Sequence, residues 1–335
     1  MVGSAAMSFD RVLGQEFAVG TLKQALRSGR LHHAYRFEGP DGVGKEMAAF
    51  GLAQALVCER PLDGEGCGEC SSCRRAITIS NDAPHVPLHP DIILLERGLY
   101  ASSLGKELDE KQNISTEQIR RVLLGRMHLP PHEGRGRLVL IRRAEEMHPS
   151  AANALLKTLE EPPARTHFVL LTSRGRMMLD TIRSRAVPVR FAPLSDAVMR
   201  QILTERGAPE QGLEQLLELA GGSVSAALTF SSAEETAARR TFVDGVRQAI
   251  AAEDAAPALA FAQLHNKEKD TLKERLAVLA VTFVREGRLQ EFSGQAARGE
   301  PEWVCCALGA LRELDRNISP ALVLETMLLR MRAFS

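Results

Sequence analysis

A glycine-rich loop set between a strand-like run and a helical pattern narrows the fold more than any other feature of this chain. The run Ala34 to Glu38 leads directly into Gly39-Pro-Asp-Gly-Val-Gly44-Lys45. Glycines at such a turn let backbone N–H groups face phosphate oxygens, and the helix that follows adds partial positive charge at its start. Gly39, Gly42, Gly44 and Lys45 are therefore read as a nucleotide cradle. The next residue departs from the pattern. A phosphate loop of this kind usually follows its Lys with Ser or Thr, whose hydroxyl holds Mg²⁺, and here Glu46 stands in that place.

Further strand-like runs occur at Ile92 to Leu95, Leu138 to Ile141, Phe168 to Thr172 and Val187 to Phe191, with helical patterns between them. Several are continuously apolar, as strands covered on both faces are. The alternation predicts a doubly wound parallel α/β domain over roughly the first 190 residues. Ser115 and Gln118 read as a capping box at a helix start, with Ile114 and Ile119 as its hydrophobic staple. After Pro193 the pattern changes to short helices punctuated by Gly207, Gly212 and Gly221-Gly222. From about residue 235 the chain reads as all helix. Leu272, Leu276, Leu279 and Phe283 share one face, Pro301 and Pro320 sit at helix starts, and Ala321 to Met331 is a packed helix.

The strand Leu138 to Ile141 is where a P-loop ATPase carries the acids that hold metal and orient water. Here Arg142-Arg143 follow, and Glu145 and Glu146 come about three positions late. Hydrolysis is not expected, while ATP or ADP binding without hydrolysis stays open.

Cys58, Cys67, Cys70 and Cys73 follow the loop's helix. Two short spacings and one longer one suit a closed, four-thiolate structural zinc site. An iron–sulfur cluster and reactive thiols are the competing readings. Cys305 and Cys306 read as core residues of a helix.

Composition sets the remaining bounds. The chain has 335 residues, 44% of them apolar, with 42 basic and 42 acidic side chains. That supports two or three domains with real cores and gives no global charge case for nucleic acid. Arg120, Arg121, Arg126, Arg135, Arg137, Arg142 and Arg143 make one stretch locally basic, read first as a solvated or subunit-facing surface and second as a DNA contact. One Trp and two Tyr leave little for base stacking. No apolar run reaches membrane-spanning length, and Met1 to Asp10 lacks the pattern of a signal peptide. A cytoplasmic protein is expected, with Met7 as an alternative start.

Several signatures then combine: the cysteine module behind the loop, His89-Pro-Asp91, the run Asn153 to Pro163 (Asn-Ala-Leu-Leu-Lys-Thr-Leu-Glu-Glu-Pro-Pro), and Ser184-Arg185-Ala186. Together they resemble the AAA+ clamp-loader subunits of bacterial DNA polymerase III. The resemblance implies an α/β AAA+ domain over 1–193 with the zinc module at 58–73, a helical lid over 194–234 and a helical collar over 235–335. It implies a hetero-pentameric ring with gamma/tau motor subunits and a delta subunit, acting on the sliding clamp and primed DNA. By position, Arg185 would be an arginine finger reaching the neighbouring subunit's ATP, although the family's Cys is Ala186 here. Thr172 would occupy the sensor-1 place, and Ser225 stands where motor subunits carry a sensor-2 Arg. The departures at Glu46, Arg142-Arg143 and Ser225 separate the chain from the motors. An ATP-hydrolysing motor and a zinc-dependent DNA-binding module are the alternatives.

Overall fold

The computed structural model describes residues 9–104, 113–208, 213–231, 233–265, 269–292, 299–316 and 318–334. Met7 and Gly212 lie outside them. The chain forms two compact units, residues 1–211 with 221–226, and residues 212–220 with 227–335.

The first unit is built on five parallel strands: β1 (Ala34–Glu38), β2 (Ile92–Leu95), β3 (Arg137–Ile141), β4 (Thr166–Thr172) and β5 (Val187–Arg190), in the order β2-β3-β4-β1-β5. Helix α1 (Glu16–Arg27) precedes β1, and α2 (Lys45–Val57), α3 (Ser71–Ile77), α4 (Ala101–Leu104), α5 (Pro149–Glu160) and α6 (Asp180–Arg183) fall between the strands. The βα alternation read from the sequence is thus the architecture. β1 is an interior strand, pairing Phe37 with Leu171 on one side and with Val189 on the other. The phosphate loop therefore leaves the sheet between two neighbours that can brace it. β1 to β4 are almost wholly buried, but in β5 only Val189 is. β5 is an edge strand, which is why it tolerates Pro188, a residue with no N–H to offer a ladder. On one sheet face Ile93, Val139, Phe168 and Leu170 join Leu155 and Leu159 of α5 and Ile119 in one core.

The capping box closes as read: Gln118 N–H donates to Ser115 Oγ and Ser115 N–H to Gln118 Oε1, both at 3.2 Å. Ile114 and Ile119 are fully buried. The segment that follows is wound as a π-helix over Gln118–Leu123 and a 3₁₀ turn over Leu124–Arg126, not as an α-helix. The buried Gln118 carboxamide also donates to Glu96 O at 3.2 Å, tying that first turn to the end of β2.

After β5 come α7 (Asp196–Glu205), α8 (Leu213–Ala220) and α9 (Val224–Ser231), with no further strand among the described residues. The second unit continues through α10 (Ala233–Ala251), α11 (Ala256–Leu264), α12 (Lys269–Phe292), α13 (Glu300–Asp315) and α14 (Pro320–Arg332). Leu272, Leu276, Leu279 and Phe283 all lie in its core, and Pro301 and Pro320 sit in the first turns of α13 and α14. Trp303 packs tilted against Phe283, ring centroids 5.3 Å apart, and donates its indole N–H to Met331 O at 3.0 Å. The two adjacent cysteines of α13 are not both core residues. Cys306 packs on this core, but Cys305 is exposed, because adjacent residues on a helix point about 100° apart.

Candidate functional site

The start of the loop is braced from both neighbouring strands. Gly39 N–H donates to Thr172 O at 3.3 Å, and Phe191 N–H to Glu38 O at 2.7 Å. Gly44 caps α2 with φ 98°, a left-handed conformation that favours glycine. Gly42 is also left-handed, and a Cβ there would stand 2.2 Å from Ser225 N, so only glycine permits this backbone approach. Ser223 adds a hydrogen bond from its hydroxyl to Asp41 O at 2.6 Å, while accepting from Ala226 N–H at 3.1 Å. The segment expected to carry a sensor-2 residue therefore rests on the tip of the loop through serines and main chain.

Lys45 is 7% exposed. Its ammonium donates to the carbonyls of Gly39 and Pro40 and lies 3.6 Å from Asp41. Burial holds its pKa below the usual lysine value, with Asp41 opposing that shift. The amine is thus folded back onto its own loop. Thr172 is buried at the end of β4, and its hydroxyl accepts from Arg174 N–H at 3.0 Å, a local capping bond.

Glu46 and Arg142 read in the sequence as two separate defects. The structure joins them. Arg142 Nη2 donates to the Glu46 carboxylate, and Nη1 to Glu96 at 2.8 Å. Arg142 N–H also bonds Leu95 O at 2.9 Å, fixing where the side chain starts. Burial works against the guanidinium charge, but Glu46 and Glu96 outweigh it and raise its pKa. In a P-loop ATPase the hydroxyl after the Lys and the acid at the strand end share a Mg²⁺. Here the two positions carry opposite charges that satisfy each other directly. The later acids are engaged elsewhere. Glu145 accepts from Ser173 N–H and Oγ at 3.3 Å, and Glu146 pairs with Arg97 at 3.3 Å and Arg143 at 3.5 Å.

The cysteines converge. Their sulfurs all lie within 4.8 Å of one another, with Cys58 and Cys70 at 4.0 Å. Zn–S bonds of about 2.3 Å would set tetrahedral S···S edges near 3.8 Å, so the donor set fits one ion. Cys58 follows the last residue of α2, and Cys70 caps α3 by accepting from Cys73 N–H at 3.4 Å. N–H groups of Arg60 and Cys67 point at Cys58 Sγ at 3.3 Å, and that of Cys70 at Cys67 Sγ at 3.4 Å. Amide donors lower the Cys67 pKa to about 6, whereas burial pushes Cys58 and Cys73 up. A bound cation would offset the cost of gathering thiolates here.

Arg185 follows α6 at the surface. Its Nε donates to Glu160 Oε1 at 2.8 Å and its Nη2 to the same oxygen, while Nη1 reaches Thr181 O at 2.9 Å and Ser184 Oγ at 3.3 Å. Beside it opens a cavity of about 460 Å³, lined among others by His32, His33, Glu160 and Arg183. Sequence reasoning singled out the Asn153 to Pro163 run but assigned Glu160 no partner.

The basic stretch is only partly a surface. Arg137 is buried, donating to the carbonyls of Arg126, Leu129 and Pro130 at 2.9–3.0 Å. It lies 4.0 Å from Asp91, whose carboxylate accepts N–H bonds from His132, Glu133 and Gly134. Arg135 bonds Ala55 O at 2.9 Å, and Arg142 belongs to the pair described above. These three are framework cations.

Residues 14–195 match the family model described as DNA polymerase III, delta subunit. The chain is 34% identical over 231 residues to the delta' subunit of DNA polymerase III from Pseudomonas aeruginosa, covering 68% of this chain and 64% of that one. It is 30% identical over 276 residues to the delta' subunit of Yersinia pestis, covering 81% and 74%. The tau subunit of Salmonella typhimurium is 32% identical over 230 residues, covering 67% of this chain and 32% of that one. The matches thus span just under two thirds of the first of these relatives and about a third of the tau chain. The chain belongs to the clamp-loader family of DNA polymerase III subunits that includes delta', gamma and tau. No helix among the described residues is long and apolar enough to cross a membrane.

Proposed function

We propose that this chain is a non-hydrolysing, delta'-type member of the family. It would sit in a ring with gamma/tau motor subunits and a delta subunit that places the sliding clamp on primed DNA. In that ring it would lend Arg185 to the ATP held by an adjacent motor. The proposed organisation is an AAA+ domain over 1–193, a lid over 194–234 and a collar over 235–335, with structural zinc on the four cysteines. A single ion is favoured over an iron–sulfur cluster, because several irons hold their thiolates farther apart than one ion does.

The observation that carries the reading is the pairing of Glu46 with Arg142. The chain has a complementary charge pair at the two metal positions, backed by Glu96. A Mg²⁺ arriving there would meet a guanidinium in place of an acid. Lys45 and the glycines retain the form of a phosphate cradle, but the metal half is closed.

This predicts how nucleotide affinity responds to metal. Titration of the purified chain with a fluorescent ATP analogue is expected to give the same affinity with Mg²⁺ as with EDTA, whether that affinity is measurable or nil. A strengthening of about tenfold or more with Mg²⁺, about 1.4 kcal/mol, would contradict the reading.

A further inference from the structure

We infer that Glu160 is a latch on Arg185: it holds the finger against its own chain until a phosphate on the neighbouring subunit displaces it. The inference rests on the proposed role of Arg185 as a finger acting in trans. Glu160 is the last residue of α5, and its carboxylate takes both Nε and Nη2 of the guanidinium on one oxygen. Nη1 is taken by Thr181 O and Ser184 Oγ. A guanidinium has five N–H donors, so these four bonds leave one.

Two consequences follow. Arginine grips a phosphoryl group best through two parallel N–H bonds, and no such pair is left while these contacts stand. The Glu160 carboxylate also cancels much of the positive field through which a finger stabilises charge developing on a phosphoryl group. The hold is reversible. Arg185 and Glu160 keep 32% and 49% of their side-chain surface in solvent, and pairs this exposed are weak. A multiply charged phosphate can outcompete a single carboxylate there. Arg183, on the same cavity, gives a single Nη1 bond to Asp180 at 2.7 Å. Both cations on this face are thus held by acids of their own chain.

The test uses the full chain assembled with the motor and delta subunits of its own organism. Steady-state ATP hydrolysis is measured without clamp and DNA, and again with both, for the wild type, Glu160→Gln, Glu160→Asp and Arg185→Ala. Glu160→Gln is expected to raise the basal rate about two- to fivefold, the weight of one exposed pair, and to leave the stimulated rate unchanged. Glu160→Asp should fall back toward the wild-type basal rate. Combining Glu160→Gln with Arg185→Ala should give the rate of Arg185→Ala alone. A Glu160→Gln rate that falls like that of Arg185→Ala would make Glu160 a brace and overturn the latch. An unchanged basal rate would overturn it too, and in both cases Arg185 would keep its role. If Arg185→Ala itself has no effect, the finger reading falls and the latch falls with it.

Discussion

Arg185→Ala in the assembled ring is expected to slow hydrolysis at the neighbouring motor site by about 10³-fold, the usual weight of an arginine finger. The effect should lie in the turnover step and hardly in nucleotide affinity, because a finger acts on charge that develops as the phosphoryl group transfers. Arg185→Lys should recover little, since an ammonium cannot offer a planar pair of donors. The chain carrying either change should fold and assemble normally. Among the described residues Arg185 bonds to Glu160 and to the turn Thr181–Ser184 at the surface and to nothing in a core. Single-turnover hydrolysis in the reconstituted ring separates these steps. A loss confined to ring assembly would assign Arg185 to the interface alone.

The second large effect concerns the cysteines. A structural zinc ion can supply on the order of 10 kcal/mol of local folding free energy. Replacing Cys67 or Cys70 by Ser is therefore expected to unfold the segment between Cys58 and Cys70, while α3 keeps its buried Ala76 and Ile77. The reason is local. Apart from the thiols, residues 59–70 are held by polar contacts and not by a core: Glu65 pairs with Lys23 at 2.8 Å and Arg27 at 3.3 Å, Glu59 accepts from Ser72 N–H and Oγ at 3.1–3.2 Å, Leu62 is exposed, and the one short ladder is the bridge between Leu62 and Glu65. The wild-type chain should carry one zinc per chain, and each variant should be cut rapidly by protease within this segment. Metal-free protein with an unchanged protease pattern would contradict the assignment.

Much of the fold was legible in the sequence because its signals are local. A strand, a glycine turn and Lys45 are contiguous, and the Leu272 to Phe283 stripe repeats at helical spacing. Ser115 and Gln118 cap each other across three residues. Convergence of the four cysteines was legible for a similar reason, since short spacings leave few ways to arrange them. What escaped was the partner of each charged residue. Glu46 and Arg142 are 96 positions apart and Glu160 and Arg185 are 25 apart, and only the sheet order brings them together. Arg137 reads like any surface cation, yet it is buried where loop carbonyls and Asp91 receive it. Cys305 and Cys306 are both apolar in sequence terms, and the angle between them on the helix decides which one is covered.

The pairing of Glu46 with Arg142 is the centre of the account, and its most direct consequence is silence toward ATP. The decisive measurement is ATP turnover by the purified chain alone, beside Lys45→Ala. Turnover no higher than that of the Lys45→Ala control is the expected result. Clear turnover that disappears in the control would show that Glu46 and the acids at Glu145 and Glu146 still run the chemistry, and the chain would be a motor.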